Sequence, residues 1–367
     1  MVTQKELTAI GLMSGTSLDG LDICWVHFSA TPREGGAAGL RWNYRMLEAE
    51  SVSYPAVLKQ QLGSAQDMSA LDFARLHSDY GLYLGQQVKA FMERHRATPD
   101  VIGSHGHTIF HQPSCRFTCQ IGSGAGIAAE SGVPTVCDFR TTDVALYGQG
   151  APLVPIGDRN LFADFDFCLN LGGFSNISFD EPDGRRSAFD ISPVNYVLNY
   201  YMRQVGQEYD KDGATARSGK VCRPLLDALN QLPFYKAKGP KSLGREWVEQ
   251  TVLPLMASYA SSQSLSLADT LCTFCEHVAV QLAAVVTPRP KSRVLVTGGG
   301  AFNTYLIERM RANAPEVTYF VPDALTVNFK EALIFAFLGV LYLYNIPSCL
   351  ASVTGATRDN IGGALYK

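Results

Sequence analysis

The chain is short of charge for its 367 residues: Asp, Glu, Lys and Arg make up 18% of it and leave a formal net charge of -3. It has no basic field to hold nucleic acid or an anionic membrane, so a small ligand is expected. Nine cysteines, an odd number, follow no repeating framework; this argues against a disulfide scaffold and fits a reducing cytoplasm. Cys272-Thr-Phe-Cys275 has the spacing of half a zinc site, but it lacks a second ligand pair. Apolar residues recur around it at helical spacing, so core or surface thiols are expected and no metal is assigned to them. No apolar stretch approaches membrane-spanning length, and the opening Met1-Val-Thr-Gln-Lys-Glu6 is polar, so an unexported protein without membrane contact is expected. Also missing are Gly-x-x-x-x-Gly-Lys-Ser/Thr and Gly-x-Gly-x-x-Gly, which argues against a P-loop enzyme and a dinucleotide fold.

What is present is a glycine- and hydroxyl-rich turn inside a β-hairpin running from Ile10 to Phe28. Gly11, Gly15 and Gly20 remove side chains that would block a close backbone approach, and Ser14, Thr16 and Ser17 add hydroxyl donors beside the amides. A nucleotide phosphate suits such a turn, although a ligand-free glycine hairpin fits the same residues. Strand-like runs at 7–11, 21–28 and 41–51 precede a helical pattern over 69–95. Val101-Ile102 then runs into Gly103-Ser-His-Gly-His-Thr108, which places polar groups just past a strand end, where ligands bind in open α/β sheets.

A second strand, Phe167 to Leu171, enters Gly172-Gly-Phe-Ser-Asn-Ile-Ser178 and repeats the opening arrangement. Arg293 to Thr297 enters Gly298-Gly-Gly-Ala-Phe-Asn303 and the amphipathic helix 304–313, which offers amides and a helix N-terminus to a ligand. The length predicts two domains: an N-terminal lobe over 1–140 and a C-terminal lobe over 141–367, with the C-terminal segment free to cross back. Residues 31–39 read as a hairpin loop and 236–245 as a surface loop long enough to act as a lid.

Two strand-turn-strand phosphate loops and a later glycine-rich turn resemble the actin, hexokinase and heat-shock chaperone ATPase superfamily. That resemblance implies an α/β fold of two ribonuclease-H-like lobes with an interlobe cleft. Met13-Ser-Gly-Thr-Ser-Leu-Asp-Gly-Leu-Asp22, Gly103-Ser-His-Gly-His-Thr108, Gln120-Ile-Gly122, Asp138-Phe-Arg140, Gly148-Gln-Gly-Ala-Pro-Leu-Val-Pro155, Leu169-Asn-Leu-Gly-Gly-Phe-Ser-Asn176, Pro240-Lys-Ser-Leu-Gly-Arg-Glu246 and Val353-Thr-Gly-Ala356, in order, resemble the anhydro-N-acetylmuramic acid kinase family. The resemblance implies a cytoplasmic enzyme of peptidoglycan recycling. It would use ATP, Mg2+ and water to open 1,6-anhydro-N-acetylmuramic acid and yield N-acetylmuramic acid 6-phosphate. Its partners would be the amino sugar and ATP, with no nucleic acid and no membrane, and a homodimer fits the family. A superfamily kinase for another sugar and a non-catalytic nucleotide or muropeptide sensor are the alternatives.

By the same match, Asp190 in Ala188-Phe-Asp-Ile-Ser-Pro-Val-Asn195 corresponds to the family's catalytic aspartate, whereas the residues alone leave a helix cap equally open. Ser14, Gly15, Thr16, Ser17, Gly172, Gly173, Ser175, Asn176, Gly298, Gly299 and Gly300 correspond to the nucleotide site. His105, His107, Thr108, Arg140, Asp143 and Glu331 correspond to the sugar site, with Arg140 suited to a two-pronged contact with a carboxylate. Arg140 also fits an interlobe salt bridge, and Glu331 the first turn of a helix from 331 to 344. Asp19 is a candidate for a water-mediated magnesium contact, or with Gly20 an Asp-Gly hairpin turn.

The chain departs from the family at three places. Phe-Asp-Ile-Ser-Pro-Val-Asn replaces Phe-Asp-Thr-Gly-Pro-Gly-Asn, so Ser192 and Val194 stand where close-approach glycines are usual. His107 stands where glutamine is usual. Phe302 stands where a polar residue is common, to stack on adenine or, as the favoured expectation, to pack in the core.

Overall fold

The computed structural model describes residues 5–15, 18, 20–32, 40–237 and 241–367. Its contacts divide the chain into a first unit, Met1–Leu161 with Phe329–Lys367, and a second, Phe162–Asn328. Residues 141–161 thus fold with the first unit rather than opening the second, and the C-terminal segment returns to the first.

In the first unit the strands are β1 (Lys5–Ser14), β2 (Gly20–Pro32), β3 (Leu40–Ser53), β4 (Val101–Ser104), β5 (His107–Gln112), β6 (Phe117–Ile121), β7 (Thr135–Cys137) and a C-terminal strand, Ala364–Tyr366. One sheet runs C-terminal strand-β7-β4-β1-β2-β3, and β5 and β6 form a separate hairpin. β1, β2 and β3 pair antiparallel, while β1 with β4 and β4 with β7 are parallel.

Alternation along the strands sends apolar side chains to both faces, as a sheet covered on both sides requires. Ile10, Leu12, Leu21 and Ile23 share a core with Leu76, Tyr80, Leu84, Val88 and Phe91 of the helix Ala70–His95. That helix begins where the Ser69 side chain accepts the Asp72 N–H, which satisfies one otherwise unpaired donor. Phe28 and Trp42 meet Phe337 of the helix Ala324–Leu343, with ring centroids 5.5 and 5.1 Å apart.

Two glycines let this second helix lie close. Gly11 and Gly103 are register partners on β1 and β4, and a Cβ on either would stand 1.7 Å from the Ala332 carbonyl oxygen or 2.0 Å from that of Phe335. Gly11 therefore serves packing, not the anion approach expected of it. A side chain there would displace the turn of helix that carries Glu331.

The second unit holds β8 (Phe167–Leu171), β9 (Phe174–Asp180), β10 (Arg186–Pro193), β11 (Arg293–Thr297) and β12 (Thr318–Phe320) in the order β10-β9-β8-β11-β12. β8, β9 and β10 are antiparallel, and β11 pairs parallel with β8 and β12. Counting only the strands within each sheet, both have the order 3-2-1-4-5 with the first three antiparallel, the ribonuclease-H-like arrangement, and the first sheet adds the C-terminal strand as a sixth beyond the fifth. The helix Leu267–Val286 crosses the second core with Leu271, Phe274, Cys275, Val278 and Leu282 fully or almost fully buried.

That helix and Ala324–Leu343 are long and apolar enough to span a membrane by length and composition, contrary to the sequence expectation, with 72% of each apolar window buried inside the protein. Cys272 and Cys275 are buried core thiols, and all nine cysteines are free.

Candidate active site

The polar groups of the first unit collect at the C-terminal ends of β1 and β4. Ser14 closes β1, and the turn after it continues through Gly15; Thr16, Ser17 and Asp19 lie outside the described residues. Gly15 lines a cavity of about 260 Å³ with Met13, Gly20, Asp22, Ser51, Ser53 and Glu331. Burial raises the Glu331 carboxyl above its ordinary value; Asp22 adds to the rise, and Lys330 and Arg140 oppose it. Lys330 itself is buried against Asp158 at 2.8 Å.

The helix starts at Ala324, not at Glu331, because Asp323 accepts the Thr326 N–H at 2.9 Å. Glu331 therefore stands two turns into the helix, away from its dipole. Asp22, Ser51 and Ser53 were not picked out from the sequence; the available signal was a carboxylate among the apolar residues of β2.

His105 is buried, and burial together with the nearby Arg140 lowers its pKa to about 3. The imidazole is neutral, and its partners assign its tautomer. Nε2 lies 2.9 Å from Arg140 Nη2, and a guanidinium can only donate. Nδ1 therefore carries the proton and donates to the Gly106 carbonyl at 2.9 Å. Arg140 also donates to Gly150 O at 2.6 Å, and burial lowers its pKa to about 10, which leaves it cationic. His107 is buried beside Ser14, with Nδ1 3.0 Å from Ser14 Oγ, and burial lowers its pKa. Thr108, next on β5, accepts from Gln120 at 3.4 Å.

Asp143 differs from its neighbours. It is 0% exposed, and its carboxylate accepts from Gly150 N at 2.8 Å, Thr354 Oγ1 at 2.9 Å and Asn360 Nδ2 at 2.8 Å. With these donors in place it ties the loop before Gly150 to the C-terminal segment instead of presenting an open face to a sugar.

In the second unit, register pairing sets Asn170, Asn176 and Asp190 side by side across β8, β9 and β10. A bulge after Asp190 leaves Ile191 unpaired, a device that re-aims a strand end. Asp190 Oδ2 accepts the Leu243 N–H at 2.8 Å, and its own N–H donates to Lys241 O at 2.9 Å. Burial raises its carboxyl pKa, opposed by the Leu243 N–H.

Gly172 and Gly173 turn their carbonyls onto the start of the helix Asn195–Arg203, accepting from Asn195 N at 3.2 Å and from Val194 N at 2.8 Å. Ser175 is buried, donating to Ser192 O at 2.9 Å and accepting from Ser192 N at 3.1 Å, so it pins the Asp190 loop. Ser192 and Val194 are themselves buried, and Val194 has φ -131°, outside the left-handed region that favours glycine. The two replaced glycines have become core.

A second cavity, about 480 Å³, is lined by Asn195, Asn199, Tyr209, Asp212, Gly299 and Phe302 among others. Gly298 has φ +80°, and a Cβ there would meet Asn170 Oδ1 at 2.5 Å, so the turn requires glycine. A Cβ on Gly300 would meet that of Leu171 at 2.7 Å. Phe302 is 43% exposed. It faces this cavity rather than the core, because the single turn Gly299–Phe302 ends in Asn303, whose side chain caps the next helix at Leu306 N.

The description of one protein family, anhydro-N-acetylmuramic acid kinase, matches residues 7–367. A protein of that name from Vibrio cholerae is 35% identical over 100% of this chain and 99% of its own. Another from Actinobacillus pleuropneumoniae is 34% identical over 97% and 98%. Among solved structures, component A of the Acidaminococcus fermentans (R)-2-hydroxyglutaryl-CoA dehydratase aligns at TM-score 0.44 and 10% identity over 91% of this chain and 97% of that one.

Proposed function

The chain belongs to the anhydro-N-acetylmuramic acid kinase family, and from that premise we propose how its residues divide the reaction. It is an enzyme, a kinase that uses ATP to convert 1,6-anhydro-N-acetylmuramic acid to N-acetylmuramic acid 6-phosphate in peptidoglycan recycling. Asp190 takes a proton from the water that attacks the anomeric carbon. The bond from that carbon to O6 breaks, and O6 captures the γ-phosphoryl group as ADP leaves. Phosphoryl capture replaces the second carboxylic acid that an inverting glycosidase uses on its leaving oxygen, so one base suffices.

The observation that carries this reading is the Asp190 carboxyl itself: raised by burial, with one oxygen held by Leu243 and the other left to accept the proton. A raised pKa makes a stronger base. Arg140, kept cationic and held by His105 and Gly150, pairs with the substrate carboxylate; His105, His107, Thr108 and Glu331 surround the sugar. Ser14, Gly15, Thr16 and Ser17, with Gly172, Gly173 and Asn176, face the phosphates, and the Gly298 to Gly300 turn with Phe302 takes the adenosine.

Among the described residues no three metal-ligating side chains group together. A magnesium ion would be carried on phosphate oxygens and water, with Asp19 the candidate to meet it through that water, and would supply charge neutralisation for the transferring phosphoryl group. An odd number of cysteines in no repeating framework fits a cytoplasmic setting, and the family resemblance supports a homodimer.

The test is to incubate the protein and Asp190→Asn with magnesium-ATP and the anhydro sugar in water enriched in heavy oxygen, and to follow ADP and sugar phosphate by mass spectrometry. Labelled 6-phosphate from the unaltered protein alone is expected. Product from another sugar only, or binding without ADP formation, would move the reading to a related kinase or to a sensor.

A further inference from the structure

Four side chains from four separate elements form a continuous line inside the first unit. Tyr80, in the middle of the helix Ala70–His95, has its hydroxyl 2.7 Å from that of Tyr54, which follows β3. Tyr54 donates to Ser14 Oγ at 2.7 Å, and Ser14 Oγ lies 3.0 Å from His107 Nδ1. Exposures are 0% for Tyr80, 8% for Tyr54, 2% for Ser14 and 4% for His107. At such burial an unmade hydrogen bond is costly, so the protons must be shared out with none left over.

The count fixes a direction. Tyr54 gives its proton to Ser14, so its oxygen takes one from Tyr80. Burial raises both tyrosines, which keeps them protonated, and lowers His107, which keeps it neutral. Ser14, with one lone pair filled by Tyr54, has one proton to give, and Nδ1 is its acceptor. In the opposite arrangement Nδ1–H would donate to Ser14 and the serine proton would leave the line, toward a phosphate when one is bound; without a bound phosphate, Nδ1 is the acceptor that the structure sets beside it.

We propose that Tyr80, Tyr54 and Ser14 form a one-way hydroxyl chain that holds His107 as its Nε2–H tautomer, so that this histidine meets the substrate as a hydrogen-bond donor. The consequence for catalysis rests on the reading of His107 as a sugar contact; the tautomer itself does not. Two residues away, His105 is held in the opposite form, with Nδ1–H on Gly106 O and Nε2 facing Arg140. The chain thus carries one lone-pair-out and one proton-out imidazole within a single turn between strands. Tyr54 and Tyr80 are positioning residues: they act through Ser14 and His107 and touch no reacting atom.

The experiment uses the full chain with 15N-labelled histidine and two-bond proton–nitrogen spectra at neutral pH, with His107→Gln to assign the His107 signals. Nε2–H is expected for His107 and Nδ1–H for His105. Tyr54→Phe keeps the ring and removes the donor; it is expected to shift His107 toward Nδ1–H and raise KM for the anhydro sugar about fivefold to tenfold, with kcat changed less than about twofold, as for the loss of one oriented hydrogen bond. Tyr80→Phe is expected to do the same more weakly.

In the His107→Gln background, Tyr54→Phe is expected to leave KM unchanged, an outcome that a purely structural tyrosine would not give. An Nδ1–H tautomer of His107 in the unaltered protein, or an equal rise in KM in the glutamine background, overturns the proposal. If the anhydro sugar is not turned over at all, the functional reading fails while the spectra still decide the tautomer.

Discussion

The two units share one strand order but use its first turn in opposite ways. In the first unit the turn after β1 keeps Ser14 within a line of hydroxyls and leaves Gly15 open to a cavity. In the second, the turn after β8 commits its carbonyls to the helix that starts at Asn195, and its serine is closed onto Ser192 on both sides. A repeated topology therefore does not repeat the chemistry; what each turn atom already bonds to decides what remains for a ligand. The aspartates make the same point. Asp143 has three protein donors and no exposure, whereas Asp190 has one donor and a raised pKa.

The sharpest way to break the comparison is to remove both carboxylates in turn. Asp190→Asn is expected to lower turnover by about 10²- to 10⁴-fold, the usual worth of a positioned base, without loss of fold. Because its native pKa lies above the unfolded one, Asp190 favours the folded state while protonated, and that contribution fades as pH rises through the native value. Thermal melts of Asp190→Asn should therefore match the unaltered protein at acidic pH and exceed it at neutral pH, and activity should fall as pH drops through the same range. A mutant less stable at neutral pH would contradict the raised pKa.

Asp143→Ala should do the reverse. It strands the Gly150 N–H and the Asn360 amide in the interior and leaves the Thr354 hydroxyl only the Leu350 carbonyl at 3.3 Å; at about 1–3 kcal/mol for each buried unpaired group, a total loss of about 2 kcal/mol or more is expected in denaturant melts. A stable Asp143→Ala with a raised sugar KM would instead make it a ligand contact.

Val194→Gly restores the glycine that the family resemblance leads one to expect there and asks what the departure does. Val194 is wholly buried in the second core, and its φ of -131° lies outside the left-handed region that favours glycine. Removing its branched side chain and loosening the backbone is expected to lower stability by about 2 kcal/mol, with turnover little changed. Faster turnover on the anhydro sugar would show that valine alters the pocket after all.

Local pattern carried most of the fold. The strands at 167–171 and 293–297 and the helix at 304–313 stand where periodicity places them, because each is bounded by glycines or capped by a polar side chain written in the adjacent residues. The helix at 324–343 was set late because its cap, Asp323, precedes a nearly uniform apolar run with no helical period to mark the first turn. The β5–β6 hairpin was missed because His107 to Gln112 does not alternate. Candidate site residues were picked out from short glycine and hydroxyl motifs; the partners that the structure gives them were not. Tyr54 reaches Ser14 from 40 residues along the chain and Tyr80 reaches Tyr54 from 26, and two of the three donors on Asp143, Thr354 and Asn360, come from 211 and 217 residues away, so neither set leaves a mark in sequence spacing.

The smallest expected effect concerns Phe302, where the favoured sequence expectation of core packing gives way to an exposed ring at the 480 Å³ cavity. An aromatic face that stacks on a base contributes about 0.5–1.5 kcal/mol beyond area alone, so Phe302→Ala should raise KM for ATP about threefold to tenfold. Stability should be nearly unchanged, because the ring is half in solvent and leaves no sealed void. The sugar KM should not move, since the groups assigned to the sugar around His105 and Arg140 belong to the first unit. A loss of stability with an unchanged ATP KM would return Phe302 to the core, leaving Tyr209 as the cavity's aromatic wall and removing the apolar side chain that most distinguishes the second unit's cavity from the carboxylate- and hydroxyl-lined one in the first.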